Sequence, residues 1–254
     1  MDRISKIFAT HKPLILFTSV GYPTEKQCEE AVNAAIERGA DIIELGVPFS
    51  DPMADGPVIS AASQEAIRQG MTLEKVIDFA ARLRQRHPDV GLILFSYMNP
   101  LMHLGYGNVC KKLAEAGVDG ILPVDLPLEE RGELLEHTKR HGLHLIPLVS
   151  PLTPEERIAE IVRDMTGFIY YIIVAGVTGA RDNVPINVAQ HIAAIRKHTS
   201  LPVAAGFGIA TTEAAHAAAQ TADGVISGSG FVKATADSVQ AAADFTSALL
   251  KGMR

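Results

Sequence analysis

Tryptophan is absent from this chain, cysteine occurs only twice, and neither a block of lysine and arginine nor an apolar run of membrane length is found in it. Each shortage argues against a class of protein. Cys28 and Cys110 lie far apart without Cys-x-x-Cys spacing, so the chain offers neither a disulfide framework nor a zinc site, and each thiol falls on the apolar stripe expected of a helix. That usage suits a reducing cytosol. The longest apolar run, Phe168 to Ala175, stays far below the ~18 residues that mark a membrane span, and Met1-Asp2-Arg3-Ile4-Ser5-Lys6 carries no apolar leader core. A soluble, cytoplasmic protein that does not bind membranes is expected. Net charge is -6, and without a basic cluster the electrostatic footprint of a nucleic-acid binder is missing. Any phosphate must then be held locally.

What the chain does have is rhythm. Short apolar runs alternate with longer amphipathic ones from end to end, the pattern of a parallel sheet covered by helices. Strands are expected at Leu14 to Ser19, Asp41 to Leu45, Leu92 to Tyr97, Gly120 to Val124, His144 to Val149, Phe168 to Ile173, Pro202 to Gly206 and Gly224 to Ser227. Their aliphatic and β-branched character fits burial on both faces. Between the first two, Cys28, Ala31, Val32, Ala35 and Ile36 recur at helical spacing, with Thr24 and Gln27 as a capping-box pair and Gly39 as C-cap. Thr153-Pro154-Glu155-Glu156 opens another helix, and Gly117 and Gly142 close others. The chain's 254 residues lie close to the ~250 of one (β/α)8 barrel, so the fold expected is α/β, a single-domain TIM barrel over residues 1–254 with extra short helices. Gly39-Ala40-Asp41, Gly117-Val118-Asp119 and Thr221-Ala222-Asp223 each precede a strand, an internal echo suggesting repetition of one βα unit.

Chemistry concentrates where the strands end. The run from Glu44 to Pro57 sets two carboxylates, Glu44 and Asp55, on either side of a loop braced by proline and glycine. Glu44 falls near the C-terminal end of the second strand, the end that carries catalysis in barrels of this kind. Such acids also serve as salt-bridge or turn-capping partners, and that reading stays open on residue types alone. Asp125, after the fourth strand, adds a third acid to the same mouth. The connection from Pro48 to Gly70 exceeds a minimal βα loop, which points to a functional loop or an added helix. Gly206-Phe207-Gly208-Ile209 and Ser227-Gly228-Ser229-Gly230 follow the seventh and eighth strands, where glycine turns and a helix N-terminus bind phosphate. Gly176-Val177-Thr178-Gly179 reads equally as a lid hinge or an ordinary loop. His137, His141 and His144 approach metal-ligand spacing, but Lys139 and Arg140 between them indicate a solvated face.

Taken together, these segments closely resemble the tryptophan synthase alpha subunit family along essentially the whole chain. The most specific string is Glu44-Leu45-Gly46-x-Pro48-Phe49-Ser50-Asp51-Pro52-x-Ala54-Asp55-Gly56-Pro57. Phe17 with Gly21-Tyr22-Pro23, Tyr97 with Asn99-Pro100, Asp125-Leu126-Pro127 and the three glycine turns extend it. The resemblance implies retro-aldol cleavage of indole-3-glycerol phosphate to indole and glyceraldehyde 3-phosphate in L-tryptophan biosynthesis, by a carbon-carbon lyase. It implies Glu44 as acid-base group and Asp55 as partner of the indole N–H. Phe17, Tyr97, Leu122 and Tyr170 are implied around the ring and Glu44, with Thr178 meeting Asp55 on closure and Gly179, Phe207, Gly208, Gly228 and Ser229 on the phosphate. No metal or organic cofactor is implied for this subunit. Pyridoxal phosphate belongs to a partner beta subunit, docked near Pro48, Asp51, Pro52, Asn99 and Asn108 in an alpha-beta-beta-alpha heterotetramer. Ile173 and Val174 depart from the Ser and Arg common in the family there, which bears on the lid rather than on the two acids. The rival readings are another phosphate-binding barrel using Lys or Cys, and a binding subunit without turnover.

Overall fold

The computed structural model describes residues 2–172, 188–206 and 208–254. Among the described residues nine strands form one sheet: β1 (Leu14–Ser19), β2 (Ile42–Gly46), β3 (Gly91–Ser96), β4 (Gly120–Pro123), β5 (His144–Leu145), β6 (Leu148–Val149), β7 (Ile169–Ile172), β8 (Val203–Gly206) and β9 (Gly224–Ser227). Every neighbouring pair is parallel, and the order is β5-β4-β3-β2-β1-β9-β8-β7-β6. The two outermost strands are consecutive pieces of one segment. Ile146 N donates to Ile121 O at 2.9 Å, and Tyr170 N donates to Pro147 O at 3.0 Å, so the segment hands its pairing from β4 to β7 and closes the sheet into a TIM barrel. The expected fifth strand is therefore split at Pro147, whose ring leaves no N–H for a ladder.

Helices fill the intervals at the positions the periodicity sets. Glu25–Arg38 starts on Thr24, whose side chain accepts from Gln27 N, and ends on Gly39 at φ 110°. Only half of the expected capping box forms, because the Gln27 side chain turns away to donate to Thr235 O at 2.8 Å. Gly117 and Gly142 take positive φ just past their helices. The helix Glu155–Val162 does begin beside Pro154, without a side-chain cap. Its neighbour Thr153 accepts from Ser150 N at 3.1 Å instead. Both cysteines are free and buried.

Period-two alternation sorts each strand into an outer and an inner face. Ile43 and Leu45 join the layer beneath the helices, whereas Ile15, Ile42, Ile93, Leu122, Ile146, Phe168, Ala204 and Ile226 fill the lower barrel interior. Ile4 plugs this lower layer from the helix Arg3–Thr10, an element the sequence pattern had not called for.

The internal echo has a structural meaning at this same end. Asp41 donates its N–H to Leu14 O and accepts from Leu14 N on its carboxylate at 2.9 Å, holding the start of β1. Asp119 does the same to Leu92 at 2.8 Å, and Asp223 to Val203 at 2.9 Å. Each aspartate also meets a basic side chain: His11 on Asp41, Arg3 and Arg84 on Asp119, Arg196 on Asp223. Three equivalent clamps thus tie neighbouring strands together at the N-terminal face, the end where barrels keep stability features.

Candidate active site

Above the lower plug, the inward positions change character. Parallel register sets Phe17 beside Glu44 and Glu44 beside Ile93. The interior there opens into a cavity of about 360 Å³ lined by Phe17, Glu44, Asp55, Phe95, Val124, Leu148, Tyr170, Ile172, Gly208, Gly228 and Ser229, with residues 54–59 along one wall. Small residues make that shape. A Cβ at Gly46 would stand 2.5 Å from the Phe17 ring, and one at Gly206 would stand 2.9 Å from the Tyr170 hydroxyl.

Glu44 is 0% exposed, and neither carboxyl oxygen finds a hydrogen-bond partner among the described residues. Burial without compensation favours the uncharged form, and the carboxyl is pushed up to about 8. Tyr170, partly buried on the same lining, is held well above its ordinary range first by loss of solvation and then by the charge of Glu44. Asp55 is raised to about 6 by burial, which the Tyr97 phenol partly opposes. Asp55 caps no helix, since Gly56 is the N-cap of Pro57–Arg68 and carries no side-chain bond. At neutral pH the site therefore holds one protonated and one mostly ionised carboxyl in the same hollow.

The glycine turns after β8 and β9 give the same cavity a part that suits an anion. Gly208 sits at φ 72°, and the helix Ser229–Asp237 starts on Gly228 with no side-chain cap. Its first N–H groups have no partners within the helix, and they carry the positive end of the helix dipole. Such backbone donors suit an anion, and no lysine or arginine lines the cavity among the described residues.

The cavity brings together seven of the residues singled out from sequence: Phe17, Glu44, Asp55, Tyr170, Gly208, Gly228 and Ser229. Leu122 sits one layer lower in the apolar plug, and Val124, two residues on and on the same strand face, takes the lining position. Tyr97 stands outside the lining, its hydroxyl accepting from Ala54 N at 2.9 Å. Asp125 accepts from Met98 N at 2.8 Å at the start of the helix Met98–Leu104, which gives it a capping place at the rim. Thr178, Gly179, Phe207, Ile173 and Val174 lie outside the described residues. Phe95 was not picked out, although its parity with Ile93 marks it as inward; its ring meets Phe17 edge-on at 4.8 Å. His144 bonds Thr166 and Asp2, and among the described residues no cluster of His, Cys, Asp or Glu is arranged to hold a metal.

Comparison with known proteins points the same way. The sequence model of the family described as tryptophan synthase alpha chain matches residues 7–252. The tryptophan synthase alpha chain of Laribacter hongkongensis is 43% identical over 259 residues, covering 100% of this chain and 98% of that protein. That of Geobacter sulfurreducens is 44% identical over 238 residues, covering 92% and 90%. Among solved structures, the tryptophan synthase subunit alpha of Legionella pneumophila superposes with a TM-score of 0.90 at 32% identity, covering 100% of this chain and 98% of that one.

Proposed function

Since the chain belongs to the tryptophan synthase alpha chain family, whose reaction is the retro-aldol cleavage of indole-3-glycerol phosphate, we propose that Glu44 and Asp55 carry that reaction in the cavity they share. The enzyme is a carbon-carbon lyase of tryptophan biosynthesis. The observation that carries the assignment is the wholly buried Glu44 carboxyl, without a partner among the described residues, lining the same hollow as Asp55 and the N-terminus of a helix with no side-chain cap.

The steps follow from the two acidities. Glu44, protonated at neutral pH, delivers its proton to indole C3, and the ring nitrogen takes up positive charge. Asp55, ionised, accepts the indole N–H and stabilises that charge. The bond from C3 to the side chain then breaks, and its electron pair restores the aromatic ring. The O–H pair of the adjacent side-chain hydroxyl becomes the second bond of the aldehyde, and its proton returns to the now ionised Glu44. Phe17, Phe95 and Tyr170 wall the bicyclic ring, while amides at Gly208, Gly228 and Ser229 hold the phosphate tail. Burial of Glu44 matters because a solvated carboxylic acid would be ionised and unable to give the first proton.

The finer assignments belong to the same reading. Thr178, Gly179 and Phe207 complete the phosphate and lid contacts, and Tyr97 and Leu122 support the ring pocket from behind its lining. One barrel domain spans the chain, works in the cytoplasm without a cofactor of its own, and docks on a pyridoxal-phosphate-dependent beta subunit as an alpha-beta-beta-alpha heterotetramer. No helix among the described residues is long and apolar enough to cross a membrane. The test is indole release from indole-3-glycerol phosphate by the purified chain, with and without a beta subunit. Indole from the chain alone, increased by the partner, is expected; binding of substrate with no indole in either case contradicts the assignment.

A further inference from the structure

The loop carrying Asp55 is held by little. Met53 is 94% exposed, and the Ser50–Asp51 and Asp55–Pro52 bonds are local to the loop itself. Among the described residues, two side-chain hydrogen bonds reach residues 48–56 from outside: the Ser60 hydroxyl, on the helix that follows, donates to Asp55 O at 3.4 Å, and Ala54 N donates across the rim to the Tyr97 hydroxyl at 2.9 Å. Tyr97 is itself firmly placed. It is 3% exposed, and its ring lies 5.1 Å from that of Phe49 at the start of the loop. Its carbonyl accepts from the Ser96 hydroxyl at 2.9 Å, and the next amide, Met98 N, donates to Asp125.

We propose that Tyr97 is a positioning residue for Asp55, its phenol pinning the loop through the Ala54 amide so that the neighbouring carboxylate meets the indole N–H. The proposal rests on the assignment of Asp55 to that N–H. It differs from a place in the ring pocket, since Tyr97 stands behind the cavity wall rather than on it. The phenol has a donor left after accepting from Ala54, and it is pushed up to about 12 by burial, with the charges of Asp55 and Asp125 adding, so it keeps its proton across the working range. That donor favours the charged form of Asp55. Glu44 and Tyr170 line the same cavity as Asp55, and Asp125 acts on the Tyr97 phenol by its charge.

The experiment is a double-mutant cycle on indole release with Tyr97→Phe, Asp55→Asn and the double variant, with pH profiles for the unsubstituted chain and Tyr97→Phe. Phenylalanine keeps the stacking ring and removes only the hydroxyl. Expected is a fall in kcat/KM of about tenfold or more, in keeping with the cost of small displacements of a reacting group. The acid limb of the profile should move to higher pH, and the added loss in the Asp55→Asn background should be under about twofold. Losses that simply multiply, with the acid limb unmoved, overturn the proposal and leave Asp55 in its role. Full cleavage by Asp55→Asn overturns the assignment of Asp55 and the proposal with it. A third measurement needs no variant: the Ala54 amide should be protected in hydrogen exchange, and exchange at the rate of a free loop amide overturns the pinning.

Discussion

At the N-terminal end of the barrel Asp41, Asp119 and Asp223 each accept a backbone N–H and meet an imidazole or guanidinium, whereas at the C-terminal end, among the described residues, Glu44 meets no donor and Asp55 has the Tyr97 phenol against its burial. The residue types are nearly the same, and the surroundings decide what they do. Asp119 illustrates the first case: with 9% of its side chain exposed, it takes Arg3, Arg84 and the Leu92 amide, so its charge is compensated and the strand starts are locked. Glu44 illustrates the second. Its displacement from 4.5 to about 8 means that ionising it in the folded chain costs on the order of a few kcal/mol, a burden a scaffold residue has no reason to carry. The lower end spends its carboxylates on holding strands together, and the upper end keeps one idle so that its proton is available to a ligand.

The largest effect expected from breaking this division comes at Glu44. Glu44→Gln should cut indole release by roughly a thousandfold, within the range for loss of a general acid. It should also stabilise the fold in mildly alkaline solution. Glu44 is raised in the folded state, so its contribution to stability is fully present below the unfolded value near 4.5 and is lost as pH rises to about 8. Glutamine has no such dependence, and the gap between the two chains in urea unfolding should widen over that window. A variant less stable at pH 8 than the parent would put Glu44 among the structural acids.

Asp119→Asn should show the opposite balance. Breaking a buried ion pair costs about 3 kcal/mol, and at this chain size each kcal/mol is worth roughly 2–4 °C in Tm, so calorimetry should find a clear drop. Indole release per folded molecule, measured well below the transition, should stay at the parent value. An unchanged Tm with lost turnover would erase the distinction between the ends. The smallest effect is expected at a site belonging to neither end's chemistry: Thr24→Ala removes the Gln27 cap of the helix Glu25–Arg38 and should cost about 1 kcal/mol in denaturant unfolding with no change in rate.

Much of this arrangement was legible because it is local. The strand at Leu14 to Ser19 and the helix with its Thr24 and Gly39 boundaries follow from alternation and capping within a few residues. Glu44 stood out because it interrupts an apolar strand, and Asp55 because it lies in a proline- and glycine-braced loop too long for a minimal connection. What periodicity did not resolve is depth. Leu122 and Val124 share one strand face, and which of them reaches the cavity is set by how far β4 rises relative to its neighbours, a property of eightfold closure rather than of the segment. The helix Arg3–Thr10 escaped for the same reason, since Ile4 earns its burial only against the finished barrel floor. The echo of Asp41, Asp119 and Asp223 was visible as a repeat, but its meaning lies in bonds to residues 20 to 27 positions away. Tyr97 was noticed for the ring pocket, and its bond to Ala54 spans 43 positions.

The central claim is that Glu44 rests uncharged at neutral pH, its buried carboxyl meeting no donor among the described residues. It is tested most directly by a carboxyl titration of the ligand-free chain, followed by 13C NMR and assigned by difference against Glu44→Gln. A midpoint near 8 is predicted; a midpoint near 4.5 would mean that water or a donor already compensates the charge, and the account of the first proton transfer would be contradicted.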